Sequence, residues 1–322
     1  MRKIAHFIVH SWAVTAVAAL LCMITWGHTI IQGDTGSMAS YANLLLYLVF
    51  GVLVGRYGDQ LAMGSLNKAT LPITLFFMSC AINPQLAPWQ GGTVYLMLLV
   101  GAYHILINTY RNHTAMGSYF TAFCLIGIAS LYCPQILYAA PLWMLCSGFM
   151  QSLHLRTALA SLLGLLTPYW TAFCVLFLTD NTSLTHSFVE KLTMSTEHAS
   201  TPIHIPLGEG NTIAIPMMAI QMVWTLLLAV PAIVHHILSS TSKVRTRANR
   251  HMQIGILMTL LIGTLILPSL YTALQPAVVT LTAILSYDIF IDERKGRNVW
   301  LITSFCIWLL IVGFVWSNFL TY

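Results

Sequence analysis

Eleven apolar runs follow one another along the chain, near 8–30, 41–55, 69–83, 91–109, 115–132, 134–151, 157–178, 213–238, 252–271, 274–290 and 299–319. Most approach the roughly 20 residues that a helix needs to cross a bilayer. Few folds are open to such a chain. In hydrocarbon every backbone donor and acceptor must be paired within the protein, so a spanning segment is either a helix or a strand of a closed barrel. Barrel strands alternate polar and apolar side chains over about ten residues, and these runs do not. Composition closes the soluble alternative: only 7% of residues are charged and the mean hydropathy is +0.78, whereas a soluble domain carries about a quarter charged residues. The expected fold is therefore all-α, a polytopic transmembrane helix bundle of about 11 spans forming a single transmembrane domain over 1–322. The shortest runs, 41–55 and 69–83, flank a polar stretch with Arg56, Asp59 and Lys68, so they could tilt or be re-entrant. Cys133-Pro134 divides the nearly continuous apolar stretch 114–151, because a residue before proline leaves the helical region.

Charge sets the orientation, since cytoplasmic loops collect Lys and Arg. With the N-terminus inside, the inner segments hold Arg2, Lys3, Arg56, Lys68, Arg111, Arg156, Lys243, Arg245, Arg247, Arg250, Arg294, Lys295 and Arg297, which is 13 of the 14 basic residues. The outer segments keep Lys191 together with Asp34, Asp180, Glu190, Glu197 and Glu209. This reading places the N-terminus in the cytoplasm, the C-terminus outside in the periplasm, and the protein in a bacterial cytoplasmic (inner) membrane. The first run reads as an uncleaved span. Ala19-Leu20-Leu21-Cys22 lacks the small residue that a lipoprotein box places before its cysteine, and the apolar run continues to Ile31. All seven cysteines lie in or beside the runs without a CxxC, as small core residues and not as a disulfide or metal framework.

The chemistry-bearing residues are few. No Asp, Glu, Lys or Arg falls near the middle of a run, and only His104 lies well inside one. Ion-coupled carriers usually bury ionisable groups at mid-membrane, so that class is disfavoured, and His104 reads as hydrogen-bonded to a neighbouring helix. The outer loop 179–212 is the only sizeable extramembrane segment; it carries His186, Glu190, Glu197, His198, His204 and Glu209. His186 and Glu190 would share a helix face and could chelate zinc with His198 or His204, but such residues are common in any solvated loop and no HExxH is present. A lid or partner-contact loop is the expectation, with no metal site, no cofactor and no catalytic residue assigned. Asp34 sits where polyprenyl-phosphate-dependent membrane glycosyltransferases carry a general base. Against that reading, the outer side lacks the cations that would hold a donor phosphate.

The inner face differs. Arg111, Arg156 and the run Lys243-Val-Arg245-Thr-Arg247-Ala-Asn-Arg250 place cations at headgroup depth, most simply as topology signals and contacts to anionic lipids. Arg156 opens a helix beside His154, where dipole and charge both attract an anion. The candidate anion or lipid-headgroup residues are thus Arg156, His154, Arg111, Arg245 and Arg247. Gly51-Val-Leu-Val-Gly55 adds a small-xxx-small match for close helix contact.

The stretch Arg156-Thr-Ala-Leu-Ala-Ser-Leu-Leu-Gly-Leu-Leu-Thr-Pro168-Tyr169-Trp170, the basic turn with Arg245-Thr-Arg247, and a final hairpin before a short aromatic tail resemble a family of uncharacterised bacterial polytopic inner-membrane proteins. The motifs cover about a fifth of the chain, and the resemblance implies a fold and a location but no reaction. Two function classes remain. One is a non-enzymatic helical subunit of a cell-envelope export or assembly complex, with other membrane-protein subunits as partners. The other is a flippase or carrier for an amphipathic lipid-linked substrate whose headgroup meets the inner arginines. The bilayer and its anionic lipids are partners in both, and nucleic acid in neither.

Overall fold

The computed structural model describes residues 11–32, 38–62, 70–87, 92–132, 134–178, 202–206, 212–238, 244–266, 271–291 and 302–313. One α-helix overlaps each apolar run: α1 (Trp12–Gln32), α2 (Met38–Ala62), α3 (Thr70–Ala81), α4 (Gly92–Ile107), α5 (Met116–Tyr132), α6 (Ala140–Ser147), α7 (Leu155–Leu178), α8 (Met217–Leu238), α9 (Val244–Ile266), α10 (Tyr271–Ile291) and α11 (Ile302–Gly313). Four stretches, Trp12–Ile31, Met38–Gly55, Leu155–Leu178 and Ala219–Ile237, are long and apolar enough to cross a membrane. The fold is that of a helical membrane protein, with one departure from all-α. Strands β1 (Pro202–Pro206) and β2 (Thr212–Pro216) form an antiparallel hairpin with Ile203 opposite Ile215 and Ile205 opposite Ile213. Alternating β-branched residues favour that pairing, and α8 consequently begins at Met217, later than its apolar run.

Other boundaries move for local reasons. The α2 backbone stays helical through Arg56 and Asp59 to Ala62. The run 134–151 is not one helix: a 3-10 turn Pro134–Ala139 precedes α6, and a second, Gly148–Met150, ends at Gln151 in the left-handed conformation. The basic turn expected before 252 is itself helical, because α9 already starts at Val244.

Backbone contacts gather the chain into two compact units, one of residues 1–90, 199–240 and 278–322, the other of 91–198 and 241–277. The uniformly apolar sequence contains no linker to mark that division.

The first unit is built around α3. Its twelve residues rise only about 18 Å, short of the roughly 30 Å hydrocarbon core, and every one of them is buried. Thr15 meets Thr74 at 2.8 Å and the Trp26 indole donates to the Cys80 carbonyl at 2.9 Å, so α1 and α3 run parallel. α2 runs the other way. Its Asn43 amide donates to the carbonyls of Leu86 and Ala87, at 2.9 and 3.1 Å, while Gly51 lies under the Phe77 ring.

The end of α3 explains three tryptophans. The last carbonyls of a helix have no partner within it, and this end of α3 is fully buried. Trp308 Nε1 donates to the Met78 carbonyl at 2.8 Å, Trp26 Nε1 to that of Cys80, and Trp224 Nε1 to Ser79 Oγ at 2.8 Å. Ser79 Oγ in turn donates to the Leu75 carbonyl. The three indoles arrive from α11, α1 and α8, and all are fully buried.

In the second unit α5 and α7 approach closely because glycine allows it. A Cβ on Gly127 would lie 2.7 Å from the Leu165 carbonyl, and one on Gly164 would overlap the Phe120 carbonyl. Ser130 and Tyr169 share a 2.6 Å hydrogen bond across the same seam.

Candidate functional site

One end of the second unit is made by the turn between α4 and α5 and the turn before α7. A buried hydroxyl network ties them. Ser152 Oγ lies 3.1 Å from Thr109 Oγ1 and 3.0 Å from the Tyr119 hydroxyl. The Arg111 amide donates to the Met150 carbonyl at 2.9 Å, and its Nε donates to Gln151 Oε1 at 2.9 Å. Both residues hold left-handed backbone, with φ of 55° at Arg111 and 56° at Gln151. That conformation costs a non-glycine residue about 1–2 kcal/mol. The Arg111 guanidinium also lies over the Tyr110 ring, 5.4 Å from its centroid.

His113 and His154 meet on this framework, Nδ1 to Nε2 at 2.6 Å, with ring centroids 4.8 Å apart. Each is held locally. Asn112 Oδ1 accepts from the Thr114 amide and hydroxyl, closing the turn that carries His113. The His154 amide donates to Thr157 Oγ1 at 2.7 Å, the half of a capping box in which the third helical residue reaches back to the cap. Arg156 follows on the first turn of α7 and is exposed, as are Arg111, His113 and His154.

The start of α9 reaches the same end. His251 packs 5.7 Å from Phe149, and Gly255 lies against Cys146 one turn further along, so the N-terminus of α9 points toward the Gln151 turn. Arg245 and Arg247 are exposed there, whereas Arg250 is buried with Nη1 donating to Gln253 Oε1 at 3.0 Å. Of the residues read as anion candidates, the structure joins the turns of Arg111 and His154 directly and sets Arg156 beside them. It brings Arg245 and Arg247 to the same end on a separate helix.

His113 and Gln151 were not among the sequence candidates. His113 lies two residues from Arg111 in the same basic turn, and that proximity is the only signal the sequence offers for it. His104 is half-buried on α4, and its carbonyl accepts from the Asn108 amide at 3.0 Å. Asp34, His186, Glu190, Glu197, His198 and Glu209 lie outside the described residues, and His204 is placed only by the backbone of β1.

Chemically, this end combines two arginines, a hydrogen-bonded imidazole pair and a helix N-terminus, a set suited to holding an anion. No family model matches the chain, and no curated protein or solved structure is significantly similar to it.

Proposed function

We propose that the chain is an eleven-span protein of a bacterial cytoplasmic membrane, with its N-terminus inside and its C-terminus outside. In this reading it is a non-enzymatic helical subunit of a cell-envelope export or assembly complex. The opposed directions of α1, α2 and α3 support one crossing per helix, and the gathering of Arg111, Arg156, Arg245 and Arg247 at one end supports a common cytoplasmic face.

The observation that carries the subunit reading is α7. Its buried seam is Thr157, Ser161, Gly164 and Pro168, at the spacing of one helix face. Away from that seam the helix exposes Leu159, Leu163, Leu166, Trp170 and Phe173, and Trp170, Phe173 and Phe177 form a ladder with centroids 6.2 and 6.3 Å apart. Rigid aromatic side chains lose little entropy on packing, which suits them to a partner helix. A photo-activated residue replacing Phe173, irradiated in native membranes, should give an adduct of one defined mass with another membrane polypeptide. Lipid adducts alone would move the account to the carrier reading, in which the basic end meets a lipid-linked substrate. The glycosyltransferase alternative rests on Asp34 alone.

A further inference from the structure

Among the described residues, the basic end of the second unit contains no carboxylate. Neither Asp nor Glu occurs between Asp59 and Asp180 or between Glu209 and Asp288, so no described residue of this unit is an acid. No described residue of the unit supplies its arginines with a counter-ion. A topology signal would need only the charge, yet Arg111 is fixed in place by the Gln151 side chain, the Tyr110 ring and a left-handed backbone. The bond to Gln151 uses Nε, so both Nη nitrogens keep their donors.

The histidine pair adds something that a fixed charge lacks. A 2.6 Å contact between His113 Nδ1 and His154 Nε2 requires one proton between the rings. In the neutral pair one outer nitrogen carries a hydrogen and the other a lone pair. The outer N–H is a donor held in a fixed direction by the bridge. Among the described residues of this unit, no acid opposes an added anion. Arg111 and Tyr110 belong to the pair's first turn, Gln151 and Arg156 to its second, and Arg245, Arg247 and His251 come to the same end on α9.

We infer that this end is a receptor for a terminal phosphate, that is a phosphomonoester, held by Arg111, Arg156 and the outer N–H of the His113–His154 pair. A terminal phosphate offers three oxygens and nearly two negative charges to these cations, whereas a diester offers two oxygens and one charge. The headgroup of a monoester lipid and a soluble phosphate share this chemistry. The inference is separate from the subunit reading, which the Phe173 crosslink tests.

The full-length protein in phosphatidylcholine nanodiscs decides it. Discs containing a minor fraction of phosphatidic acid or of phosphatidylglycerol are compared by native mass spectrometry, and plain discs are titrated calorimetrically with inorganic phosphate. Retention of phosphatidic acid about tenfold above phosphatidylglycerol is expected, or else binding of inorganic phosphate; the first identifies a lipid source and the second a soluble one. Arg111→Lys and Arg156→Lys keep the charge but lose the planar fork, and each should weaken that binding about tenfold. Equal retention of the two lipids with no phosphate heat, or binding indifferent to both Arg→Lys changes at the first turns, would overturn the inference.

Discussion

Trp26→Phe, Trp224→Phe and Trp308→Phe should each lower stability by about 1–3 kcal/mol, because each removes a buried hydrogen bond from the last turn of α3, with Trp26→Phe the mildest since the Cys80 carbonyl also accepts from the Asn83 amide at 2.9 Å. Phenylalanine fills most of the space, so the missing N–H is the main loss. The three acceptors are consecutive, Met78, Ser79 and Cys80, and residues that share one turn couple when changed together. The triple variant is therefore expected to fail to accumulate in the membrane. Trp170→Phe is the control: that side chain is 69% exposed, and its replacement should stay within about 0.5 kcal/mol. Denaturant titration of the purified variants in mild detergent, followed by helical circular dichroism, measures all four.

Two glycine-to-alanine substitutions should act with opposite signs. At Gly164 the new methyl meets the Phe120 backbone, which cannot rotate away. The α5–α7 seam must then open, at a cost of about 1–3 kcal/mol or more. At Gly27, in the middle of α1, a Cβ has nothing within 4 Å, and alanine should stabilise by roughly 0.5–1 kcal/mol through helix propensity. The same unfolding titration reads both. A destabilised Gly27→Ala would show that face of α1 to be packed, and a neutral Gly164→Ala would show the seam to be loose.

The helices were legible because an apolar run of near-bilayer length has few alternatives. Their ends were less so. The brevity of α3 depends on indoles that donate to it from 145 and 230 residues away in sequence, and no local pattern encodes such contacts. The hairpin escaped because Ile203-His-Ile205 and Ile213-Ala-Ile215 are too short to stand out beside a long apolar run. At the candidate site, Arg111, His154 and Arg156 were visible as polar residues between runs. Their assembly was not, since the bonds from Arg111 to Gln151 and from His113 to His154 cross 40 and 41 residues. Those bonds also depend on left-handed turns at two residues that are not glycine. The helical start of α9 was hidden by its charges, which read as a loop.

The proposed orientation requires the basic segments to share the cytoplasmic face. Single cysteines at Ser242 and Ser195, positions outside the described residues, report this in a chain whose seven native cysteines are replaced. In intact spheroplasts an impermeant thiol reagent should label Ser195→Cys at once and Ser242→Cys only after the membrane is opened. Labelling of Ser242→Cys but not Ser195→Cys in intact cells would contradict the orientation, and with it the placing of Arg111, His154 and Arg156 at the inner headgroups.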